Sequence, residues 1–423
     1  MEKVNDLLKI YNIDKNIYEL ANKCEEELKE EFKKIDNLEF QNSLNVLSAF
    51  KEENLNESDF ATTTGYGYGD IGRDKIERIF AKVLKGEDSL VRSQIISGTH
   101  ALTITLFGLL RPGDIMLSIS GTPYDTLEEV IGIKENENSL KSFNINYEEI
   151  DLINDSFDTE KIKETLKRKK IKLIEIQRSK GYSKRKSINI EKIKEVIKSI
   201  REVDKEVIIM IDNCYCEFVE SITPLEVGAD IMVGSLIKNL GGGIATNGGY
   251  VAGKKNLIDK VAQRLNPPGE GKEVGPSMGA NREILLGLYS APKVVASSLK
   301  VSALASCMLE KLNYEVEPKY NEHKVDIVLS IKFGNEKDLI SYCEGIQLSS
   351  AIDSNSLPIP TSMPGYDDKI IMASGSFTQG SSIEISCDGP LRKPYIAYMQ
   401  GSLSYAYGKI AVLSAISRVV NNK

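Results

Sequence analysis

Residues 228–243 read GADIMVGSLIKNLGGG, and this stretch decides the fold class of the 423-residue chain. A short apolar run, residues 231–234, is followed by Ser235, Lys238 and three consecutive glycines. Apolar runs of about four to eight residues bounded by glycine are typical of buried strands. Taken alone, Lys238 is more typical of a surface lysine. The run before it predicts instead that Ser235 and Lys238 follow a strand at the edge of a sheet.

The segments on both sides of this run repeat the strand-like pattern. Further strands are predicted at residues 89–96, 115–119, 171–176, 207–211 and 249–252, with amphipathic helices at residues 158–167 and 190–203. Alternating strands and helices favour an α/β fold with a large, mostly parallel sheet that helices cover on both faces. Ligands of such sheets bind at the carboxyl ends of the strands, so we expect the functional residues there.

The chain length predicts more than one domain, because 423 residues exceed the usual size of a single hydrophobic core. Residues 1–60 are expected to form a helical arm, residues 61–290 the large α/β domain and residues 291–423 a smaller α+β domain. A long apolar helix at residues 282–312 leads into the small domain. Its other predicted elements are strands at residues 325–331, 369–373 and 382–386 and a closing helix from residue 395 onward.

Composition excludes several classes of protein. The net charge of -7 and the pI of about 5.4 disfavour nucleic-acid binding, which depends on Lys and Arg at phosphates. No apolar run reaches the length of about eighteen residues that predicts a membrane span. The first six residues, MEKVND, lack the apolar core of a signal peptide, so a cytoplasmic location is expected. With two histidines, a multi-histidine metal site is excluded.

A second strand-like run ends in a carboxylate. Residues 207–211 are apolar, and Asp212 follows them directly, 26 residues before Lys238. A lone aspartate at a strand end often only caps a loop. Together, however, Asp212 and Lys238 are expected at the carboxyl edge of one sheet, where a carboxylate and an amine mark a candidate site.

The turn Ser97-Gly98-Thr99 predicts an anion site. These small residues connect the predicted strand at residues 89–96 to an apolar helical stretch. The N-terminus of a helix presents unpaired N–H groups and the positive end of the helix dipole at one point. A plain strand-to-helix turn is an equally good interpretation of these residues alone.

Other phosphate and nucleophile motifs fail. Residues 67–72 match the GxGxxG pattern, but residues 58–64, SDFATTT, do not form the apolar strand that a dinucleotide-binding turn requires. No GxxxxGK[ST] loop and no GxSxG elbow occurs, and two histidines disfavour a Ser-His-Asp triad.

Together, the motifs resemble those of methionine gamma-lyase-like proteins involved in aluminium resistance. These are relatives of cystathionine beta-lyase among the fold-type I enzymes that depend on pyridoxal 5'-phosphate (PLP). The resemblance rests on residues 65–73, 91–101, 177–182, 234–253 and 363–390, and it covers nearly the whole chain after residue 60. It implies the aspartate aminotransferase fold, also called PLP-dependent transferase-like, with PLP as the cofactor.

The resemblance also implies roles for the residues at the predicted sheet edge. Lys238 carries PLP as a Schiff base, Asp212 holds the ring nitrogen, and Ser235 binds the phosphate together with the turn at residues 97–99. A buried carboxylate favours the protonated ring nitrogen that lets PLP act as an electron sink. A partly desolvated lysine beside a cationic ring can serve as imine-forming amine and as base.

Three further residues are implied near the ring. Tyr124 lies 25 residues after Thr99, where the cystathionine lyases have an aromatic residue that stacks on the cofactor. A tyrosine there can cover the ring and protonate a leaving group. Arg178 or Ser179 follows a predicted strand and is expected to donate a hydrogen bond to the ring oxygen.

Three more residues are implied at the rim of the site. Tyr68 and Arg73 are the candidates to reach the cofactor phosphate of a neighbouring subunit, although the Tyr-x-Arg spacing of the family is not reproduced here. Arg392 is expected to hold the α-carboxylate of the substrate, since arginine binds carboxylates in a bidentate manner.

The implied function is a carbon–sulfur lyase that acts on sulfur amino acids by elimination of the methionine gamma-lyase or cystathionine beta-lyase type. In it, Lys238 removes the Cα proton and Tyr124 protonates the leaving sulfur. The implied assembly is a homodimer or homotetramer with active sites shared across the dimer interface. Two alternatives remain open, namely an aminotransferase or other amino-acid PLP enzyme, and a PLP-binding stress or regulatory protein with little turnover.

Overall fold

A computed structural model describes residue 6 and residues 8–183, 185–363 and 367–422. Residues 1–5, on which most of the signal-peptide prediction rests, lie outside these ranges. Residues 364–366, part of the stretch 363–390, also lie outside them. The chain forms two compact units. The large unit comprises Ser43–Leu236 and Ile244–Tyr289, and the small unit comprises Met1–Asn42, Ile237–Gly243 and Ser290–Lys423.

The chain forms helices α1 (Lys15–Glu27) and α2 (Lys29–Glu52) before the large unit's first strand. The strands of the large unit are β1 (Asp88–Arg92), β2 (Ile115–Ser118), β3 (Asn146–Glu149), β4 (Leu173–Gln177), β5 (Ile208–Asp212), β6 (Ile231–Ser235) and β7 (Gly249–Gly253). Its helices are α3 (Ile71–Leu84), α4 (Gly98–Leu109), α5 (Asp125–Ile131), α6 (Thr159–Arg168), α7 (Ile190–Arg201) and α8 (Lys255–Leu265).

The large sheet has the strand order β1-β7-β6-β5-β4-β2-β3. Every strand except β7 runs parallel, and β7 is antiparallel to both of its neighbours. The prediction of a mostly parallel α/β sheet is therefore confirmed. The sequence pattern missed β3, because this edge strand has the polar sequence NYEE.

Side chains of the sheet alternate between two apolar layers, as they must in extended strands. Leu173, Met210 and Val233 belong to the layer that also contains residues of α4 and α8. Ile174, Ile209 and Ile211 belong to the layer formed with α6 and α7. By the same alternation, the α4 face of the sheet ends in polar residues, namely Ser118, Glu175, Gln177, Asp212 and Ser235.

The small unit contains a second sheet with the order β10-β11-β12-β9-β8, in which all pairs are antiparallel. Helix α9 (Ala280–Lys311) has residues in both units. The other elements are β8 (Glu315–Glu317), β9 (Val328–Lys332), α10 (Glu336–Leu348), β10 (Ile370–Ala373), β11 (Ser386–Pro390), β12 (Ile396–Gln400) and α11 (Tyr405–Val420).

Two predicted elements of the small unit were wrong. The strand expected at residues 382–386 begins only at Ser386, and the helix expected from residue 395 is instead β12. Strand β12 pairs with β11 on one side and with β9 on the other, so pairing on both sides overrides its helical pattern. Gly401, with φ of 82°, follows the strand, and α11 starts four residues later.

The N-terminal helix α1 is part of the small unit's core. Ile17, Ala21 and Cys24 pack in the same apolar cluster as residues of α11. The Tyr405 hydroxyl donates to Glu25 over 2.7 Å, and Asp14 N–H donates to Ser417 over 3.0 Å. The first part of the predicted arm therefore docks within its own chain.

Within the part of the chain that the structure describes, one helix, Asn281–Lys311, is long and apolar enough to cross a membrane by length and composition. However, 72% of its most apolar window is buried inside the protein. Its residues from Val301 to Leu309 line the apolar core of the small unit. These properties are those of the core helix of a globular protein.

Candidate active site

The N-terminus of α4 has the geometry of an anion site. Ser97 is the N-cap, and its Oγ accepts the N–H of His100 over 3.0 Å. This bond leaves the N–H groups of Gly98 and Thr99, which no helical carbonyl can satisfy, at the start of the helix. The Thr99 hydroxyl lies 2.8 Å from that of Thr126. The helix end can therefore offer two backbone donors and the positive end of its dipole to one anion.

Gly98 keeps space open between this helix end and the end of β6. A Cβ atom built on Gly98 would lie 3.5 Å from Cβ of Ser235 and 3.4 Å from Sγ of Cys214. These are ordinary van der Waals distances, so a side chain at Gly98 would fill the space without a clash. Ser235 is 1% exposed. The structure thus brings together the two segments for which the sequence predicted phosphate binding.

Asp212 lies at the carboxyl end of β5 and is buried. Its Oδ1 accepts the N–H of Cys214 over 3.1 Å. In the sheet it pairs with Gln177 on β4 and Val233 on β6. This position at the carboxyl edge of the sheet is the one that the sequence predicted.

Glu175 is a site residue that the sequence analysis missed. It lies on the same sheet face as Asp212, is 1% exposed, and contacts the Ser118 hydroxyl at 2.9 Å. Burial, and next the charge of Asp212, raise the pKa of Glu175 to about 8. An acidic residue inside the apolar run at residues 171–176 was the available signal, since isolated buried carboxylates are rare.

Tyr124 is fixed through its backbone. Its N–H donates to Oε1 of Gln177 over 2.6 Å, and Nε2 of Gln177 donates to the Ser179 carbonyl over 2.8 Å. A Cβ atom on Gly181 would lie 2.8 Å from Cδ2 of Tyr124, so glycine permits the close approach of the ring. The Tyr124 and Tyr182 rings lie 6.1 Å apart. Gln177 therefore holds Tyr124 to β4, the strand next to the one that bears Asp212. No sequence motif indicated this connection.

Arg178 is fully buried among protein groups. Its guanidinium pairs with Glu220, donates to Asn213 Oδ1 over 2.7 Å and donates to the Ile188 carbonyl over 3.3 Å. These contacts account for the burial of the arginine without a ligand. Ser179 is also buried, and the role of ring-oxygen donor stays a prediction for either residue.

Tyr68 and Arg73 differ sharply in exposure. Tyr68 is 66% exposed, and its ring stacks on that of Tyr66 with 5.4 Å between centroids. Arg73 is 4% exposed and binds the Gly67 carbonyl at 2.8 Å, the Gly275 carbonyl at 3.1 Å and Asp74 at 2.8 Å. These contacts favour a structural role for Arg73 at the start of α3, where it binds carbonyls of two loops. Only Tyr68 has the exposed position that a reach toward a neighbouring subunit requires.

Lys238 follows β6 by three residues and begins the short 3-10 helix Asn239–Gly241 in the small unit. The lysine is half-buried, and its carbonyl accepts the N–H of Gly241 over 3.2 Å. A Cβ atom on Gly243 would lie 2.2 Å from Cδ2 of Leu403. Glycine is favoured at Gly243 because its φ is +69° and because the Leu403 side chain packs closely against it, and this explains part of the glycine run after the lysine.

Arg392 lies in the turn after β11 and is exposed. Its Nη1 lies 3.0 Å from Oδ2 of Asp368, and 53% of the arginine side chain is exposed. The arginine can therefore bind a carboxylate, but its role as the substrate clamp stays a prediction.

These residues fit PLP. The open space at Gly98 and the donors around it suit a phosphate, and Asp212 offers a buried carboxylate to a protonated ring nitrogen. Tyr124 offers an aromatic face, and the chain continues from Ser235 to a lysine three residues later. The donor set therefore matches the chemistry of each end of the cofactor.

Comparisons with known proteins agree with this assignment. The family model described as methionine gamma-lyase matches residues 17–420. The YnbB protein of Bacillus subtilis (strain 168) is 45% identical over 394 residues, which is 92% of this chain and 93% of YnbB. A crystal structure of a carbon-sulfur lyase involved in aluminium resistance from Clostridium novyi NT is 46% identical, with a TM-score of 0.95 over 99% of both chains. The pyridoxal-5'-phosphate dependent protein YhfS from Escherichia coli shares the fold at 18% identity, with a TM-score of 0.63 over 92% of this chain and 97% of YhfS.

Proposed function

The chain belongs to the methionine gamma-lyase family, and from this premise we propose that it is a PLP-dependent carbon–sulfur lyase of sulfur amino acids with Lys238 as the cofactor lysine. The observation that carries the proposal is the approach of Gly98 to Ser235 at the N-terminus of α4, on the sheet face that also ends in Asp212. A phosphate seat and a buried carboxylate on one face suit the two ends of PLP. The solved relative from Clostridium novyi carries the name of a carbon-sulfur lyase.

Each end of the cofactor has its own residues in this proposal. The N–H groups of Gly98 and Thr99 and the Ser235 hydroxyl hold the phosphate, with Ser97 as the helix cap. Asp212 would hold the ring nitrogen, and the Lys238 amine would hold the aldehyde carbon as a Schiff base. When bound in this way, PLP supplies an electron sink that stabilises negative charge at the substrate Cα.

The protein side chains then move the protons. Once the substrate amine had displaced Lys238 from the cofactor, the freed Lys238 amine would be the base for the Cα proton of the substrate. Tyr124 covers the ring and donates its hydroxyl proton to the departing sulfur, so that a thiol and not a thiolate leaves. The hydrogen bond from its backbone to Gln177 keeps the tyrosine at this place.

The substrates that fit this chemistry are cystathionine, cysteine, homocysteine and methionine. Arg392 is the proposed ligand of the α-carboxylate. It would leave its ion pair with Asp368 to bind the substrate. The exposed ring of Tyr68 supports a homodimer or homotetramer in which this residue reaches the phosphate at a neighbouring site. A cytoplasmic location stays the expectation from the sequence.

The proposal is tested with purified protein reconstituted with PLP. The wild type should show the visible absorption of lysine-bound PLP, and Lys238→Ala should lose this band while its circular dichroism stays unchanged. No band in the reconstituted wild type overturns the proposed cofactor. Lys15→Ala, a change in an exposed ion pair with Glu19, is the matched control.

Product analysis then distinguishes the reactions. Pyruvate or 2-oxobutyrate released together with ammonia and a thiol supports elimination. A dependence on a keto-acid acceptor instead identifies an aminotransferase. A bound chromophore without turnover on any of the four substrates identifies a PLP-binding protein with a regulatory or stress role.

A further inference from the structure

The sheet face that ends in Asp212 carries a second carboxyl group, Glu175. Glu175 pairs with Met210 in the register of β4 and β5, and Gln177 pairs with Asp212. Side chains alternate between the two faces of a strand, so both carboxyl groups lie on the α4 face. They stand on neighbouring strands and are offset by two residues in the register. Two carboxyl groups on neighbouring strands of one buried face interact strongly, so the charge of one opposes ionisation of the other.

The contacts of Ser118 show which group holds a proton. The Ser118 Oγ lies 2.6 Å from the Gly121 carbonyl oxygen and 2.9 Å from Oε2 of Glu175. A hydroxyl has one proton and the carbonyl can only accept, so the shorter contact uses the proton of Ser118. The contact with Glu175 is then a hydrogen bond only if Glu175 donates. A neutral carboxylic acid at Glu175 satisfies both contacts.

The remaining oxygens agree with this assignment. Oε1 of Glu175 is buried and has no hydrogen-bond partner among the described residues. An unpartnered buried oxygen costs far more in a carboxylate than in a neutral acid. Asp212, in contrast, accepts the Cys214 N–H at Oδ1, and its charge raises the pKa of Glu175. The proton of the pair therefore belongs on Glu175 and the charge on Asp212.

Few other charged groups act on Glu175. Arg185 on the following loop opposes the effect of burial, while Asp212 on β5 adds to it. The charge of Glu175 also raises the pKa of Tyr147 on β3, but burial and the hydrogen bond to Glu149 raise this pKa more. None of these groups supplies a counter-charge strong enough to ionise Glu175 at neutral pH, because its pKa remains about 8.

We propose that Glu175 is a positioning residue of the site, a neutral acid behind Asp212 that keeps Asp212 as the one buried negative charge presented to the ring nitrogen. The role toward the ring rests on the proposed function, whereas the proton on Glu175 does not. Ionisation of Glu175 would add a second negative charge on the same face. The electronic state of a ring held at Asp212 would then change with pH through a group that does not touch it.

The proton is tested by infrared difference spectroscopy on the purified full chain. The spectrum of wild type minus Glu175→Gln at pH 6 should contain the C=O stretch of a protonated carboxyl, and the same difference at pH 10 should lack it. Ser118→Ala should shift this band to higher frequency, because the acid loses its acceptor. Glu195→Gln, a change at an exposed position of α7, is the control and should show no such band. Absence of the carboxyl band at pH 6 overturns the inference.

The positioning role is tested by the visible spectrum of the PLP-loaded protein as a function of pH. The wild type should show a spectral transition with a midpoint at or below about pH 8. Glu175→Gln should keep the visible band and lose the transition, whereas Glu195→Gln should keep both. A transition that persists in Glu175→Gln overturns the role. If the reconstituted wild type forms no visible band, the proposed function fails and the role falls with it, while the infrared result still decides the proton.

Discussion

The backbone N–H of Tyr124 donates to Oε1 of Gln177 over 2.6 Å, although 53 positions separate the two residues in the chain. Gln177 pairs in the sheet with Asp212, so this hydrogen bond connects the tyrosine to β4, the strand next to the one that bears the carboxylate. The placement of Tyr124 therefore depends on a residue that does not take part in the chemistry.

Gln177→Leu should test this dependence. The variant keeps the side-chain volume but loses the acceptor, so Tyr124 should shift and kcat should fall by about 10- to 100-fold, the usual cost of losing a residue that orients a reacting group. The visible PLP band should remain. Tyr124→Phe gives the reference for loss of the hydroxyl itself. Unchanged kcat in Gln177→Leu would show that the hydrogen bond does not position the tyrosine.

Gly98→Ala should separate cofactor affinity from stability. The added methyl group fills the space beside Ser235, so the PLP dissociation constant should rise about tenfold, which corresponds to ~1.4 kcal/mol. Its contacts of 3.4 and 3.5 Å are tolerable, and alanine favours the helix by up to about 1 kcal/mol. The melting temperature of the cofactor-free protein should therefore stay equal or rise. Ser235→Ala, which removes a donor without filling the space, should weaken PLP binding without raising the melting temperature.

The fold could be predicted from the sequence where local pattern and tertiary environment agree. Strands β4, β5 and β6 are short runs of apolar residues, and Asp212 and Ser235 end two of them, so their position at the sheet edge followed directly. The family inferred from these motifs is confirmed. Strand β12 was mistaken for a helix because its partners β9 and β11 come from distant parts of the chain.

The site residues that escaped prediction act through contacts and not through motifs. Gln177 matters because its amide reaches two backbone groups, and Glu175 matters because it lies beside Asp212 in the folded sheet. Arg73 illustrates the converse case. It stands within a glycine-rich motif, yet the fold directs its guanidinium to carbonyls of its own chain.

Glu175 should make the stability of the protein fall as the pH rises toward 8. Burial raises the pKa of Glu175 to about 8, from about 4.3 in an unfolded chain. Between these values the folded protein holds one proton more than the unfolded chain, so the free energy of unfolding decreases with pH and this contribution levels off above about pH 8. Glu175→Gln removes the dependence.

The measurement is urea unfolding of wild type and Glu175→Gln from about pH 5 to about pH 9. The stability of the variant relative to wild type should increase up to about pH 8 and stay constant above it. Glu195→Gln should differ from wild type by a constant amount. A constant difference for Glu175→Gln as well would mean that Glu175 is ionised throughout.

Arg392→Ala should raise KM about tenfold with little change in kcat, because an interaction with the substrate carboxylate stabilises ground state and transition state alike. Arg392→Lys should also raise KM, since lysine lacks the bidentate geometry. Arg168→Ala, which removes an exposed arginine paired with Glu164, is the control. If the KM values of Arg392→Ala and the control agree, another group must bind the carboxylate.

Tyr68 should act on the site of a neighbouring subunit, because its ring is exposed while the nearby Arg73, at the start of α3, is buried. Tyr68→Ser and Lys238→Ala should each be nearly inactive alone. If the two variants are unfolded together and refolded, mixed dimers contain one site with both native residues, so activity on the order of one quarter of wild type should return. Size-exclusion chromatography should show the same oligomer for all samples. A mixture that stays inactive would mean that Tyr68 and Lys238 serve the same subunit, since every site in the mixed dimers would then carry one substitution.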